Sequence, residues 1–146
     1  MDEKEFLGKA NPIMIMIFVN QLHRKKLEHL LEGTGLHRAQ HRMLMTLAER
    51  EFDSQVKLAA VLEVSTATVA VSLKKLERDG YIKKISKKED SRANFVRLTE
   101  KGKKIVTKSR EIFEYVDRGI IQGFSEEELI SMRKFLKRMY DNLVKL

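Results

Sequence analysis

Apolar and polar positions follow a helical period over most of the chain and a period of two over one short stretch. The stretch from Asn11 to Leu31 predicts one long helix, with Asn11 as its cap and Pro12 in its first turn. Its first half, IMIMIFV over 13–19, is apolar all round. Its second half, Gln21 to Leu31, is amphipathic, with Leu22, Leu27, Leu30 and Leu31 expected to face inward. Residues 1–10 read as a short, mobile lead-in. Gly33-Thr34-Gly35 interrupts the pattern, and a helix from about His37 to Arg50 presents Met43, Leu44 and Leu47 on one face. Phe52-Asp53-Ser54 leads into the next unit, with Asp53 or Ser54 as a cap.

Two short helices follow. The first, from about Ser54 to Leu62, gathers Leu58, Ala59 and Leu62. Glu63-Val64 makes a tight turn, and Ser65 caps a second helix in which Val69, Leu73 and Leu76 recur at spacings of four and three. Gly80 supplies a left-handed stop. Two helices joined so closely have the helix-turn-helix geometry, whose second helix enters a major groove. The period then changes. Tyr81 to Ile85 predicts a strand, Ser86 to Ser91 a polar turn, and Asn94 to Leu98 an alternating, half-buried strand. A two-stranded ribbon directly after a recognition helix is a wing. Thr99 then caps a helix to about Gln122, with Ile105, Val106, Ile112, Phe113, Val116 and Ile120 apolar, and Gly123 ends it. Ser125-Glu126-Glu127-Glu128 is a capping box. It opens a last helix striped by Leu129, Met132, Phe135, Leu136, Met139 and Leu143.

Charge sharpens this picture. Residues 54–104 carry thirteen Lys and Arg against six Asp and Glu, so +7 of the chain's +8 sits in about a third of its 146 residues. Charge placed so unevenly points to a polyanionic partner. The absence of cysteine excludes disulfides, thiolate metal sites and thiol redox sensing. The longest apolar run, 13–19, is too short for a bilayer, which needs about 20 residues. MDEKEF lacks the form of a signal peptide, so a cytoplasmic protein is expected. No glycine-rich phosphate loop, nucleophile with a base, or paired acids near apolar sequence stands out, so neither an enzyme nor a cofactor is expected. His37 and His41 are four apart, a metal-compatible spacing, with Glu28, His29 and Glu32 as the residues that could complete a site. Two histidines alone make an incomplete zinc site, and they read as surface or phosphate-facing residues.

The segment LAAVLEVSTATVAVSLKKLERDGYIKK, followed by Asp90-Ser91-Arg92 and Leu98-Thr99-Glu100-Lys101-Gly102, resembles the MarR family of transcription regulators. Gly35-Leu36-His37-Arg38-Ala39-Gln40 resembles the family's entry into the helix before the motif. The resemblance implies a mainly α, winged helix-turn-helix fold with a small two-stranded wing and long N- and C-terminal dimerisation helices. The expected organisation is a dimerisation helix over 1–34, the DNA-binding domain over 35–100 and dimerisation helices over 101–146. It further implies a homodimeric repressor on a near-palindromic operator, released by a small aromatic or lipophilic ligand bound between the dimer helices and the DNA-binding lobe.

Candidate residues follow from these elements. Ser54 and Gln55 at a helix N-terminus, with Lys74, Lys75, Lys83 and Lys84, suit phosphate contacts on double-stranded DNA. Base contacts fall to Ser65, Thr66, Ala67, Thr68, Ala70 and Val71. Family members often carry polar or basic side chains where this chain has Thr66, Ala70 and Val71, and no Arg, Asn or Gln stands there for a bidentate base contact. Hydroxyls, methyl contacts and groove shape remain as sources of specificity. Lys87 and Lys88 form a basic wing tip suited to a minor groove. Arg92 is either a partner of Asp90 that shapes the tip or a direct DNA contact. Ile13, Ile17, Phe18, Leu129, Phe135, Leu136, Met139 and Leu143 are the expected dimer interface, with burial in a core as the alternative. Met14, Phe18, Met45 and Phe113 are the candidates for a ligand-pocket lining, again with core packing as the alternative.

Overall fold

The computed structural model describes residues 3–52, 54–87 and 90–146, leaving aside the side chains of residues 3, 4, 6 and 86–95. The element order is α1 (Glu3–Lys9), α2 (Pro12–Leu31), a 3-10 turn (Glu32–Thr34), α3 (Arg38–Glu49), α4 (Gln55–Leu62) and α5 (Thr66–Arg78). Strands β1 (Ile82–Lys87) and β2 (Asp90–Leu98) follow, then α6 (Glu100–Ile120) and α7 (Glu126–Val144). The fold is mainly α with a two-stranded antiparallel ribbon. The chain forms two compact units, residues 1–113 and residues 114–146.

Helix boundaries sit where side chains can satisfy the orphan backbone groups of helix ends. Asn11 accepts from the Met14 N–H at 3.0 Å, Ser54 from Lys57 at 3.2 Å, and Ser65 from Thr68 at 3.1 Å. Ser125 and Glu128 exchange side-chain and backbone hydrogen bonds at 2.8 and 3.2 Å, a complete capping box. Ser54 is therefore the cap of α4; Asp53 lies outside the described residues. Glu63 takes the left-handed conformation at φ 56, which lets its N–H and that of Val64 close back onto the last carbonyls of α4. α4 and α5 meet at 105° across this turn, inside the range of a helix-turn-helix.

The core of the first unit collects the inward faces of α3, α4 and α5. Leu44, Leu58, Val69, Leu73 and Leu76 are essentially sealed from solvent, and Ile82 of β1 and Val106 of α6 pack into the same cluster. Burying five such side chains is worth roughly 1.5–3 kcal/mol each before the entropy of ordering them is counted. The wing strands pair with Ile82 opposite Leu98 and Lys83 opposite Arg97. Among the described residues no single helix is long and apolar enough to cross a membrane.

The lead-in over 1–10 contains a helix, α1, with Lys9 donating to Glu5 one turn earlier. Two sequence expectations need correction. Leu22 is 67% exposed, whereas Leu27 and Leu31 are buried. It stands five residues before Leu27, so at 3.6 residues per turn it points about 140° away from the buried line. The polar segment 86–91 was expected to be all turn, but β1 continues to Lys87 and β2 begins at Asp90, with a register shift between Ser86 and Lys87. A ribbon needs only backbone pairing to continue, so polar side chains do not end it.

Candidate nucleic-acid interface

α5 owes its geometry to a division between two faces. Val69, Leu73 and Leu76 hold it against the core, and the opposite face carries Thr66, Ala67, Thr68, Ala70, Val71 and Lys74 into solvent. Ser65 and Thr68 also share a hydroxyl–hydroxyl hydrogen bond of 2.8 Å, so the cap of α5 is doubly closed. The first turn of α4, with Ser54 and exposed Gln55, presents the N–H groups of a second helix N-terminus, a favourable place for a phosphate. The expected base-reading residues thus share one solvent-facing surface of α5, which is the arrangement a major groove requires.

The cations divide into structural and exposed groups. Arg97 on β2 donates from Nε and Nη2 to Glu51 Oε1, at 3.2 and 2.9 Å, and so ties the wing to the end of α3. Lys84 pairs with Glu77 of α5 at 3.1 Å. Lys101 donates to the Asp79 carbonyl at 2.6 Å and stands 4.4 Å from the centre of the Tyr81 ring. Lys103 pairs with Glu100, and Arg78 with Asp79. Lys74 and Lys83 are exposed and Lys75 half-buried. Lys84, expected at a phosphate, is instead engaged within the protein. Lys88 lies outside the described residues, as do the side chains of Lys87, Asp90 and Arg92, so the basic tip and the Asp90–Arg92 pair fall there too.

His41 departs from expectation. It is fully buried rather than on the surface, with Nδ1 2.6 Å from Ser109 Oγ and Nε2 2.7 Å from Thr34 Oγ1. Both ring nitrogens are therefore occupied, and the ring joins α3 to α6 and to the 3-10 turn. Burial pushes its pKa down, helped by Lys108 and opposed by a hydrogen bond to the Leu36 carbonyl. His37 precedes α3, its N–H donating to Gln40 Oε1 at 3.0 Å. Among the described residues no group of three or more His, Asp or Glu is placed to hold a metal ion.

The remaining candidates lie on the long helices. Ile13, Met14, Met16, Ile17, Phe18 and Val19 of α2 are each between 37% and 51% exposed. On α7, Phe135, Leu136 and Leu143 are exposed, while Leu129 and Met139 are half-buried. Of the expected ligand-lining residues, Met14 and Phe18 stand one turn apart on α2. Met45 packs beside the core and Phe113 is half-buried. The Arg97–Glu51 tie, the Lys101–Tyr81 contact and the His41 network escaped the sequence reading. Each joins residues far apart in the chain, so no local pattern marks it.

Residues 36–102 match a family model described as a winged helix DNA-binding domain. The HTH-type transcriptional regulator YybA of Bacillus subtilis (strain 168) is 32% identical over 108 residues, 74% of this chain and 72% of that protein. The HTH-type transcriptional regulator BilQ of Clostridioides difficile (strain CD3) is 37% identical over 79 residues, 54% of this chain and 53% of its own. A complex of S. aureus MepR with DNA has the same fold, with a TM-score of 0.80 at 24% identity, covering 92% of this chain and 99% of that one. Reduced E. coli MarR superposes with a TM-score of 0.72 at 20% identity, covering 89% and 96%.

Proposed function

This chain belongs to the MarR family of transcription regulators, with a DNA-binding winged helix, and we propose that it acts as a homodimeric repressor on a near-palindromic operator. The observation that carries this reading is the outward surface of α5. It is capped, rigidly backed by the core and solvent-facing from Thr66 to Lys74, with the excess of positive charge around it. A dimer places two copies of α5 in successive major grooves, about one helical turn apart. Phosphate contacts from Lys74, Lys75, Lys83, Ser54 and Gln55 supply affinity, and Lys87, Lys88 and Arg92 extend it from the wing.

The dimer is supported by the apolar surface of α2 and by the exposed stripe of α7. A run of exposed apolar side chains such as 13–19 of α2 is rare on a monomer. Changing Ile17 to Glu is expected to convert the protein to monomers in sedimentation and to weaken operator binding at least about a hundredfold. The second half-site then no longer binds at a high effective concentration. An Ile17→Glu protein that stays dimeric would remove α2 from the interface. Release by a small lipophilic or aromatic ligand belongs to the same reading, with Met14, Phe18, Met45 and Phe113 as lining. Such a ligand acts only by binding one spacing of the two recognition helices better than another.

The experiment is selection of bound duplexes from genomic fragments, then titration of the selected site against random duplex at two salt concentrations. The expected result is an enriched near-palindrome bound at least about a thousandfold tighter than random DNA. Affinity should also fall steeply with salt. Equal, salt-sensitive binding to every fragment would instead identify a nonspecific DNA-coating protein. No binding at low salt would leave a protein-interaction module.

A further inference from the structure

We propose that the first two turns of α5 read the C5-methyl groups of pyrimidines in the major groove, so that the bases beneath Ala67, Ala70 and Val71 are selected as thymine. This rests on the DNA-binding reading above and narrows it to a class of base. The sequence left hydroxyls, methyl contacts and groove shape as sources of specificity, and the structure weighs against the hydroxyls.

The hydroxyls are largely committed. Ser65 Oγ accepts from the Thr68 N–H at 3.1 Å and is hydrogen-bonded to Thr68 Oγ1 at 2.8 Å, so two of the three hydroxyls on the first turn close the cap. Charged and amide side chains are absent from the whole of 65–73, and the cations begin only at Lys74. Guanine is read by Arg or Lys and adenine by Asn or Gln, so neither purine has a bidentate reader here.

What the outward face offers is methyl groups. Ala67, Ala70 and Val71 recur at three- and four-residue spacings opposite the buried Val69 and Leu73, and Val71 is 71% exposed. An exposed valine in a helix interior gains nothing from packing and loses to alanine in helix propensity, because its branched side chain is restricted at χ1. Its methyls are open for a partner to cover. α5 is thus uncharged in its first two turns, and its cations Lys74, Lys75 and Arg78 stand only in its last two. Thymine presents a methyl into the major groove. Uracil and cytosine lack that methyl, and 5-methylcytosine carries it at the same ring position.

The test uses the full-length protein and the best duplex from the selection. Each thymine is replaced in turn by uracil, which removes the methyl and keeps the pairing edge. Binding is expected to weaken about three- to fivefold at the positions beneath α5, the equivalent of one buried methyl at about 0.8 kcal/mol, and to stay unchanged elsewhere. Val71→Ala, at a solvent-facing position that leaves the fold intact, is expected to abolish the uracil penalty at one position of each half-site. Where cytosine replaces that thymine, 5-methylcytosine is expected to recover part of the lost affinity. Specific binding with no uracil penalty would overturn methyl reading and leave the regulator standing. A penalty that Val71→Ala does not alter would overturn it too, since the methyl would then act through duplex shape. Equal binding to selected and random duplexes would overturn both readings.

Discussion

Alanine at position 102 is expected to cost the fold about 2–4 kcal/mol, a large loss for a substitution of one hydrogen by a methyl. Gly102 is buried in the first turn of α6, where its N–H donates to Thr99 Oγ1 at 3.1 Å. A Cβ there would press into the carbonyl oxygen of Tyr81, well inside van der Waals contact, and lie 3.3 Å from Leu98 Cδ2. The Tyr81 carbonyl cannot step aside as a flexible side chain would. It already accepts from the Thr99 N–H at 3.0 Å, while the Thr99 hydroxyl donates to the Gly80 carbonyl at 2.6 Å. These bonds gather the end of α5, both wing strands and the start of α6 at one point. The Leu98-Thr99-x-x-Gly102 motif is therefore a packing junction, and its glycine is required for space rather than for backbone conformation. Urea unfolding of Gly102→Ala measures the loss. Gly119 in the same helix provides the control, since a Cβ there meets nothing within 4 Å. Gly119→Ala should be neutral or stabilising by up to about 1 kcal/mol, through helix propensity. A Gly102→Ala protein as stable as the parent would remove the junction as an explanation.

Loss of His41 is expected to cost a similar amount, about 2–4 kcal/mol for His41→Ala, and to change how stability depends on pH. Ser109 donates its proton to the Ile105 carbonyl at 2.6 Å, so it can only accept from His41 Nδ1–H. Thr34 Oγ1 donates to the Leu31 carbonyl at 2.7 Å, so in the neutral ring, where Nε2 can only accept, the hydroxyl proton must turn from that carbonyl to Nε2. Burial, with the positive charge of Lys108 nearby, holds the folded pKa below the ordinary histidine range. Between the folded value and the ordinary one of about 6.5, the unfolded chain binds more protons than the folded chain. The stabilisation from a neutral His41 is therefore fully present above about pH 6.5 and is lost as pH falls below it. Urea midpoints for the parent and for His41→Gln, measured at pH 7.5 and 5.5, isolate this term. The parent should lose more stability on acidification than the variant. Equal losses in the two proteins would show that His41 does not titrate in this window.

Most of the helix ends and the organisation of the DNA-binding unit were legible in the chain. Caps at Asn11, Ser54, Ser65 and Ser125 act over two or three residues, and the stripe of Val69, Leu73 and Leu76 repeats within two turns. Signals of that range are written in adjacent residues and need no partner to be read. The surface of α5 was legible for the same reason, since a helix buried on one side must expose the other. Tertiary structure decided the rest. Nothing near Arg97 in sequence specifies Glu51, 46 positions away, and nothing near His41 specifies Ser109, 68 positions away. The spacing of His37 and His41 looked like a shared surface, yet α6 covers one of them and turns it into a buried link. Leu22 is the exception, since its five-residue spacing from Leu27 already sets the two about 140° apart on α2 without any tertiary contact. Local periodicity determines which residues could be buried, but the packing of distant elements determines which of them are, and what polar groups they meet there.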